Sequence, residues 1–225
     1  MIVHDKERTL CANLAAACKY NSDHLHANMD ALRNAAFIYS TSFFITSNPA
    51  ALHEVGQFAS DNDVPFGYNL SAVFLLQFEL DNVMKALRHA DFVFANELEV
   101  AAYSKAHNLG TDSHSEIAKA IAKTEKSNSK RPRTVIITDG PRPITVVTNM
   151  PGSEEFEVTE YPVEPIDEAN IVDTNGAGDT FVGAFFSQLY HGKDIPTCVR
   201  AGIYLSRECV KRSGCTFPAT MEFTA

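Results

Sequence analysis

No CxxC pair occurs in this chain, and its five cysteines, Cys11, Cys18, Cys198, Cys209 and Cys215, are odd in number. That pattern fits neither a zinc site nor a disulfide framework, so the cysteines read as reduced thiols. Long apolar runs are missing too: the longest, such as "AAFIY" and "FVGAFF", are far too short to span a bilayer. An excess of positive charge is likewise absent. The formal charge of -9 makes the surface as a whole repel nucleic acid and anionic membrane, so neither is an expected partner. Any phosphate the protein handles must be held by local geometry rather than by a bulk field.

The opening "MIVHDKERTL" carries charges where a secretory signal needs an apolar stretch. The expected location is the cytoplasm, with the nucleus open as a second compartment. His24 and His26 stand in a polar helix start and read as solvated rather than metal-bound.

What is present is an ordinary globular composition, 45% apolar and 21% charged over 225 residues, enough for one sizeable core. Five β-leaning runs are legible at 35–41, 64–70, 90–96, 133–140 and 143–149, with helical patterns near 50–62, 74–88, 97–107 and 114–126 between them. This alternation predicts an α/β fold, a mostly parallel sheet with helices on both faces. The last two runs are separated only by a short "DGPR" link and should form a hairpin. Two more helices are expected at 177–191 and 195–212. The first ten residues read as a strand without partners.

The stretch "IVDTNGAGDTFVGAFFSQL", residues 171–189, carries the chemistry. Its small residues make a tight turn ahead of a helix whose first N–H groups are unpaired and whose dipole is positive at that end. Together these form an anion pocket, yet Asp179 puts a carboxylate in it. One resolution makes Asp179 a base that takes a proton from an attacking hydroxyl while the Gly176–Gly178 amides hold the charge developing on a transferring phosphoryl group. The other is that Asp179 only complements the dipole, worth about 0.3–1 kcal/mol. Gly176, Gly178 and Gly183 miss the GxGxxG spacing, and no Gly-Lys-Ser/Thr follows as in a P-loop.

A second feature is "FANELEVAAY", in which Asn96 follows a strand and Glu99 stands three residues on, the layout of a capping box. Glu97 and Glu99 also lie at a strand's carboxyl end, where ligands bind in open α/β sheets, and could hold a hydrated Mg²⁺. Spacing alone leaves both readings open.

"DTNGAGDTFVGAF", "NELE", "RTLCANLAAAC" and "GCTFP" together resemble the ribokinase (PfkB) superfamily and, within it, its adenosine kinase branch, from Arg8 to Pro218. The resemblance implies a ribokinase-like domain over 1–225, with 1–15 a residual lid strand and following helix. It also implies transfer of the ATP γ-phosphate to the 5′-hydroxyl of adenosine in purine salvage. By that resemblance Asp179 is the catalytic base and Gly176, Ala177 and Gly178 form the anion hole. Thr138, Gly140, Asn96 and Asn175 border ATP. Asn96 and Glu99 organise Mg²⁺ through water, and Arg8 meets phosphate from the lid. Leu10, Leu14, Phe43, Phe74 and Phe181 match the apolar wall around the nucleoside, and Asp173 matches a position linked to a monovalent cation. Complete relatives are expected to be monomeric.

The sequence departs from the family at Ala95, where glycine is usual, at Val73 in place of proline, and at Ile203, where histidine is frequent. The family also has a further N-terminal segment, roughly a third of its chain, with the aspartate that grips the ribose hydroxyls, the paired glycines under the sugar and most of the lid. From this the chain is expected to expose an apolar sheet edge, to be poorly soluble or loosely folded, and to phosphorylate adenosine weakly or not at all. The alternative is a noncatalytic ATP-binding pseudokinase fragment.

Overall fold

The computed structural model describes residues 2–4, 7–9, 12–217, 220 and 223, the first two segments through their backbone alone. The described residues group into two compact units. One comprises Leu14–Asp139 with Ile144–Glu160, and the other Met1–Asn13, Gly140–Pro143 and Tyr161–Ala225.

The first unit carries the parallel sheet, in the order β3 (Ile38–Thr41), β4 (Phe66–Asn69), β5 (Phe92–Asn96), β6 (Arg133–Asp139), β7 (Arg142–Asn149) and β8 (Glu157–Tyr161). Neighbours from β3 to β6 pair in parallel, with Ile38 opposite Phe66, Gly67 opposite Phe92 and Phe92 opposite Thr134. Parallel neighbours require crossovers. These are supplied by α3 (Pro49–Asp61), then α4 (Val73–Phe78) and α5 (Leu80–Leu87), then α6 (Glu97–Ala106) and α7 (His114–Lys123). Val93, Val135, Ile136 and Ile137 are buried on both faces of the sheet, which is why β5 and β6 read as continuous apolar runs.

Between β6 and β7 the link has only two residues, Gly140 and Pro141, with Gly140 at φ +52°. A left-handed first residue is what lets so short a turn match the twist of the flanking strands. The expected hairpin is there.

The 74–88 pattern is two helices rather than one. A straight helix that buried Leu75, Leu76, Val83 and Leu87 would also turn Glu79 toward the core. Instead the chain breaks at Glu79 (φ −127°, ψ 24°), and the Glu79 carboxylate, half-buried, accepts from the Asn82 amide at 2.8 Å.

Short helices α1 (Ser22–Ala27) and α2 (Met29–Arg33) also precede β3 and bury only Leu25 between them, so no apolar stripe announced them. Strand β8 is similarly half-exposed along its length.

Deep in this unit the fully buried Arg133 donates to the carbonyls of Ala90, Leu87, Ile121, Thr124 and Glu125. Four of those carbonyls belong to the last turns of α5 and α7 or the residues just after α7. One guanidinium thus adds donors at two helix ends, where carbonyls run short of intrahelical partners.

In the second unit, β1 (Ile2–His4) and β2 (Glu7–Thr9) pair antiparallel, Ile2 opposite Thr9. The opening strand therefore has a partner in the next few residues. Helices α8 (Ala177–Tyr190) and α9 (Ile195–Val210) complete the unit. Asp194 caps α9 by accepting from Thr197 N at 2.9 Å, with a proline in the first turn. Phe181, Phe185 and Phe186 form the buried face of α8.

Among the described residues no helix is long and apolar enough to cross a membrane. Cys18, Cys198, Cys209 and Cys215 are free thiols, and Cys11 lies outside the described residues.

Candidate active site

The turn that leads into α8 is built by Asp173. Its Oδ1 accepts from the main chain of Asn175 at 2.9 Å and from the Asn175 side chain, and its Oδ2 accepts from Gly214 N at 3.1 Å. Asp173, expected beside a monovalent cation, here fastens the turn to the segment after α9.

Gly176 follows at φ +74°, a left-handed conformation that reverses the chain and starts the helix. Ala177 N reaches Thr174 O only at 3.5 Å, and Thr180 N closes the first helical bond to Gly176 O at 2.8 Å. The N–H groups of Gly176, Gly178 and Asp179 have no acceptor among the described residues. Gly178 and Asp179 are exposed, so these donors and the Asp179 carboxylate share one open helix start. Ser206, on α9, donates to Ala177 O at 2.9 Å and holds the helix from behind. Backbone donors and a helix dipole aimed at solvent attract an anion, and the exposed Asp179 carboxylate stands beside them.

In the first unit, Asn96 and Glu99 form the full reciprocal cap. Glu99 N donates to Asn96 Oδ1 at 2.9 Å, while Asn96 N and Nδ2 donate to the two Glu99 oxygens at 3.0 and 2.8 Å. Glu99 is 4% exposed, and its carboxyl is pushed up to about 7. Burial is the main cause and the neighbouring Glu97 adds to it, while the Asn96 and Ser71 main chains pull the other way. Ser71 itself sits at φ +66°, an uncommon conformation for a residue with a β-carbon. Its N–H donates to Asn69 Oδ1 and its hydroxyl accepts from Ser42 N. A knot of side chains at the carboxyl ends of β3, β4 and β5 thus braces the buried Glu99. Nothing in the sequence marked Ser71.

A buried carboxylate with so little compensating charge suits a cation, and among the described residues no group of three or more His, Cys, Asp or Glu gathers to bind one directly. That donor set fits Mg²⁺ held largely by water, which needs only one or two protein ligands.

Thr138 is half-buried at the end of β6 and donates to Ala95 O at 3.4 Å, and Gly140 occupies the hairpin turn. Phe43 and Phe74 lie with ring centroids 6.2 Å apart, both nearly half-exposed, as is Leu14. Phe181, expected in the same apolar wall, is instead 2% exposed and packs within its own unit beneath Gly202. The Arg8 side chain and the whole of Leu10 lie outside the described residues.

Comparison with known proteins agrees with this geometry. A family model described as pfkB family carbohydrate kinase matches residues 1–221, and the chain belongs to that family. Its fold is ribokinase-like. "Adenosine kinase 1" of Arabidopsis thaliana is 41% identical over 219 residues, 96% of this chain and 62% of that protein. The Dictyostelium discoideum adenosine kinase is 37% identical over 222 residues, 98% of this chain and 63% of its own. Among solved structures, Anopheles gambiae adenosine kinase in complex with P1,P4-di(adenosine-5) tetraphosphate superimposes with a TM-score of 0.92 at 39% identity, over 98% of this chain and 64% of that one. The chain thus spans a little over three fifths of the length of the relatives it matches.

Proposed function

We propose that the protein transfers the γ-phosphoryl group of ATP to the 5′-hydroxyl of adenosine, giving AMP and ADP, a purine-salvage reaction. The observation that carries this reading is the open helix start at Gly176–Asp179, where unpaired amides and a carboxylate occur together. The relatives' names, and the adenosine-bearing ligand of the Anopheles structure, point to the nucleoside.

Asp179 accepts the proton of the attacking hydroxyl. The Gly176 and Gly178 amides, with that of Ala177 loosely held, stabilise charge on the equatorial oxygens in flight, and Asn175 and Thr138 border the nucleotide. Mg²⁺, held through water by Asn96 and Glu99, would neutralise charge on the ATP phosphates. Such catalysis is positioning and electrostatics more than covalent chemistry.

The test is adenosine-dependent ADP release by the chain and by its Asp179→Asn variant, with ATP and adenosine affinities measured separately. Turnover should fall by about 10²–10⁴-fold while the ATP Kd moves little. A variant keeping a tenth of the rate would remove Asp179 as the base. A chain that binds ATP, ignores adenosine and turns nothing over would be a nucleotide-binding pseudokinase instead.

A further inference from the structure

The turn at Gly176 has a feature that phosphoryl transfer does not use. Two thiols converge on it from the end of α9 and the segment beyond: Cys209 Sγ donates to Asn175 O at 3.6 Å and Cys215 Sγ to the same oxygen at 3.8 Å. The two thiols also interact directly with one another. Cys215 is pressed so closely on the turn that a β-carbon built on Gly176 would lie 2.0 Å from its sulfur. Cys215 is exposed whereas Cys209 is wholly buried.

We propose that Cys209 and Cys215 are a reversible oxidation site, and that the disulfide between them reshapes the amide-bearing turn at Gly176. The bond needs the sulfurs about 2.05 Å apart, so these two free thiols must close on one another, and the Cys215 sulfur that presses on Gly176 shifts with them. Both S–H groups are consumed, and Asn175 O loses both of its thiol donors. With the sulfur on Gly176 displaced and these two donors gone, the N–H groups that follow the left-handed glycine are re-aimed.

The chemistry balances with a peroxide as oxidant. The exposed Cys215 sulfur attacks the O–O bond and becomes a sulfenic acid, releasing water. Cys209 sulfur then displaces the sulfenic oxygen as a second water. Two thiols and one hydrogen peroxide give one disulfide and two waters, the sulfurs losing two electrons to the peroxide oxygens.

Burial, the Cys209 thiol and the nearby Asp179 and Asp173 all push the Cys215 thiol up. The thiolate is therefore scarce at neutral pH, and the site answers sustained oxidant rather than trace amounts. Cys198, fully buried with its thiol pushed up to about 11, is a built-in unreactive control.

The effect on nucleotide rests on the kinase reading above; the bond itself does not. The intact chain is treated with hydrogen peroxide, free thiols are alkylated, and tryptic peptides are mapped without reductant. Lys211 and Arg212 lie between the two cysteines, so trypsin leaves their peptides joined only through the disulfide. The expected result is a linked 208–211/213–225 pair, reversed by dithiothreitol and absent from Cys209→Ser and Cys215→Ser. ATP affinity of the oxidised chain should fall about tenfold or more, and that of oxidised Cys215→Ser should not.

Alkylation of both cysteines after peroxide, or a link to any other cysteine, would overturn the proposal. A linked pair with unchanged ATP affinity would overturn the reshaping of the turn. If the reduced chain binds no ATP, the kinase reading fails, and the peptide map still decides the bond.

Discussion

Phe181 lies directly under Gly202: a β-carbon on Gly202 would stand 2.5 Å from the edge of the Phe181 ring. Residue 202 is on α9 and residue 181 on α8, so the missing side chain at Gly202 is what lets the ring pack between the two helices at this point. Gly202→Ala forces the ring out of a packed core, with an expected loss of about 1–3 kcal/mol. Urea unfolding measures it, as a lower midpoint at unchanged slope. A variant as stable as the parent would show that the helices are free to separate.

Arg133 is the largest fully buried side chain among the described residues, and burial pulls its guanidinium down only to about 10, so it stays charged at neutral pH. Arg133→Met fills similar volume but takes a donor from five carbonyls, of which Leu87 O and Ile121 O keep main-chain donors while those of Ala90, Thr124 and Glu125 lose the guanidinium. The expected loss, read by the same urea unfolding, is about 1–3 kcal/mol for each carbonyl left without a donor. Arg133→Lys should recover little of it, because an ammonium cannot span the ends of two helices.

Acid should weaken the protein through His89. Its ring is buried beneath Gly56, bonded to Ser60 Oγ at 2.9 Å and 3.2 Å from His53, and is pushed down to about 4 by burial first and by the charges of His53 and Arg88 next. The unfolded chain takes up this proton near pH 6.5 and the folded one only near 4, so stability is present above 6.5 and lost as pH falls between those values. Glu99 acts oppositely. Held up at about 7, it favours the fold below its unfolded value of 4.5 and loses that contribution as pH rises toward 7. His89→Asn should therefore flatten the acid limb by about 3 kcal/mol across that window, while Glu99→Gln should steepen it. Chemical unfolding at stepped pH separates the two, and an acid limb unchanged in His89→Asn would clear His89 of the role.

The sheet and its crossover helices were legible because strands buried on both faces leave continuous apolar runs, as "FVFAN" and "RTVIITD" do around Val93, Val135 and Ile137. The helices that broke the pattern did so for local reasons: a polar Glu79 facing the core split one pattern into α4 and α5, and α1 and α2 bury a single leucine. At the candidate site, the capping box and the glycine turn could be read from spacing, because each is made by residues close in sequence. What could not be read comes from contacts between distant residues. Ser71 near Glu99, Phe181 turned under Gly202, and Cys215 seated on Gly176 depend on the folded chain, and no local pattern encodes them.

The Asp173 bond to Gly214 N makes the segment beyond α9 a strut for the turn rather than a loose tail. A protease nick after Lys211 or Arg212 would leave every described strand and helix uncut and still separate Gly214, which fastens the turn, from α9. The turn can therefore be loosened by a single backbone cut that spares every described element of secondary structure.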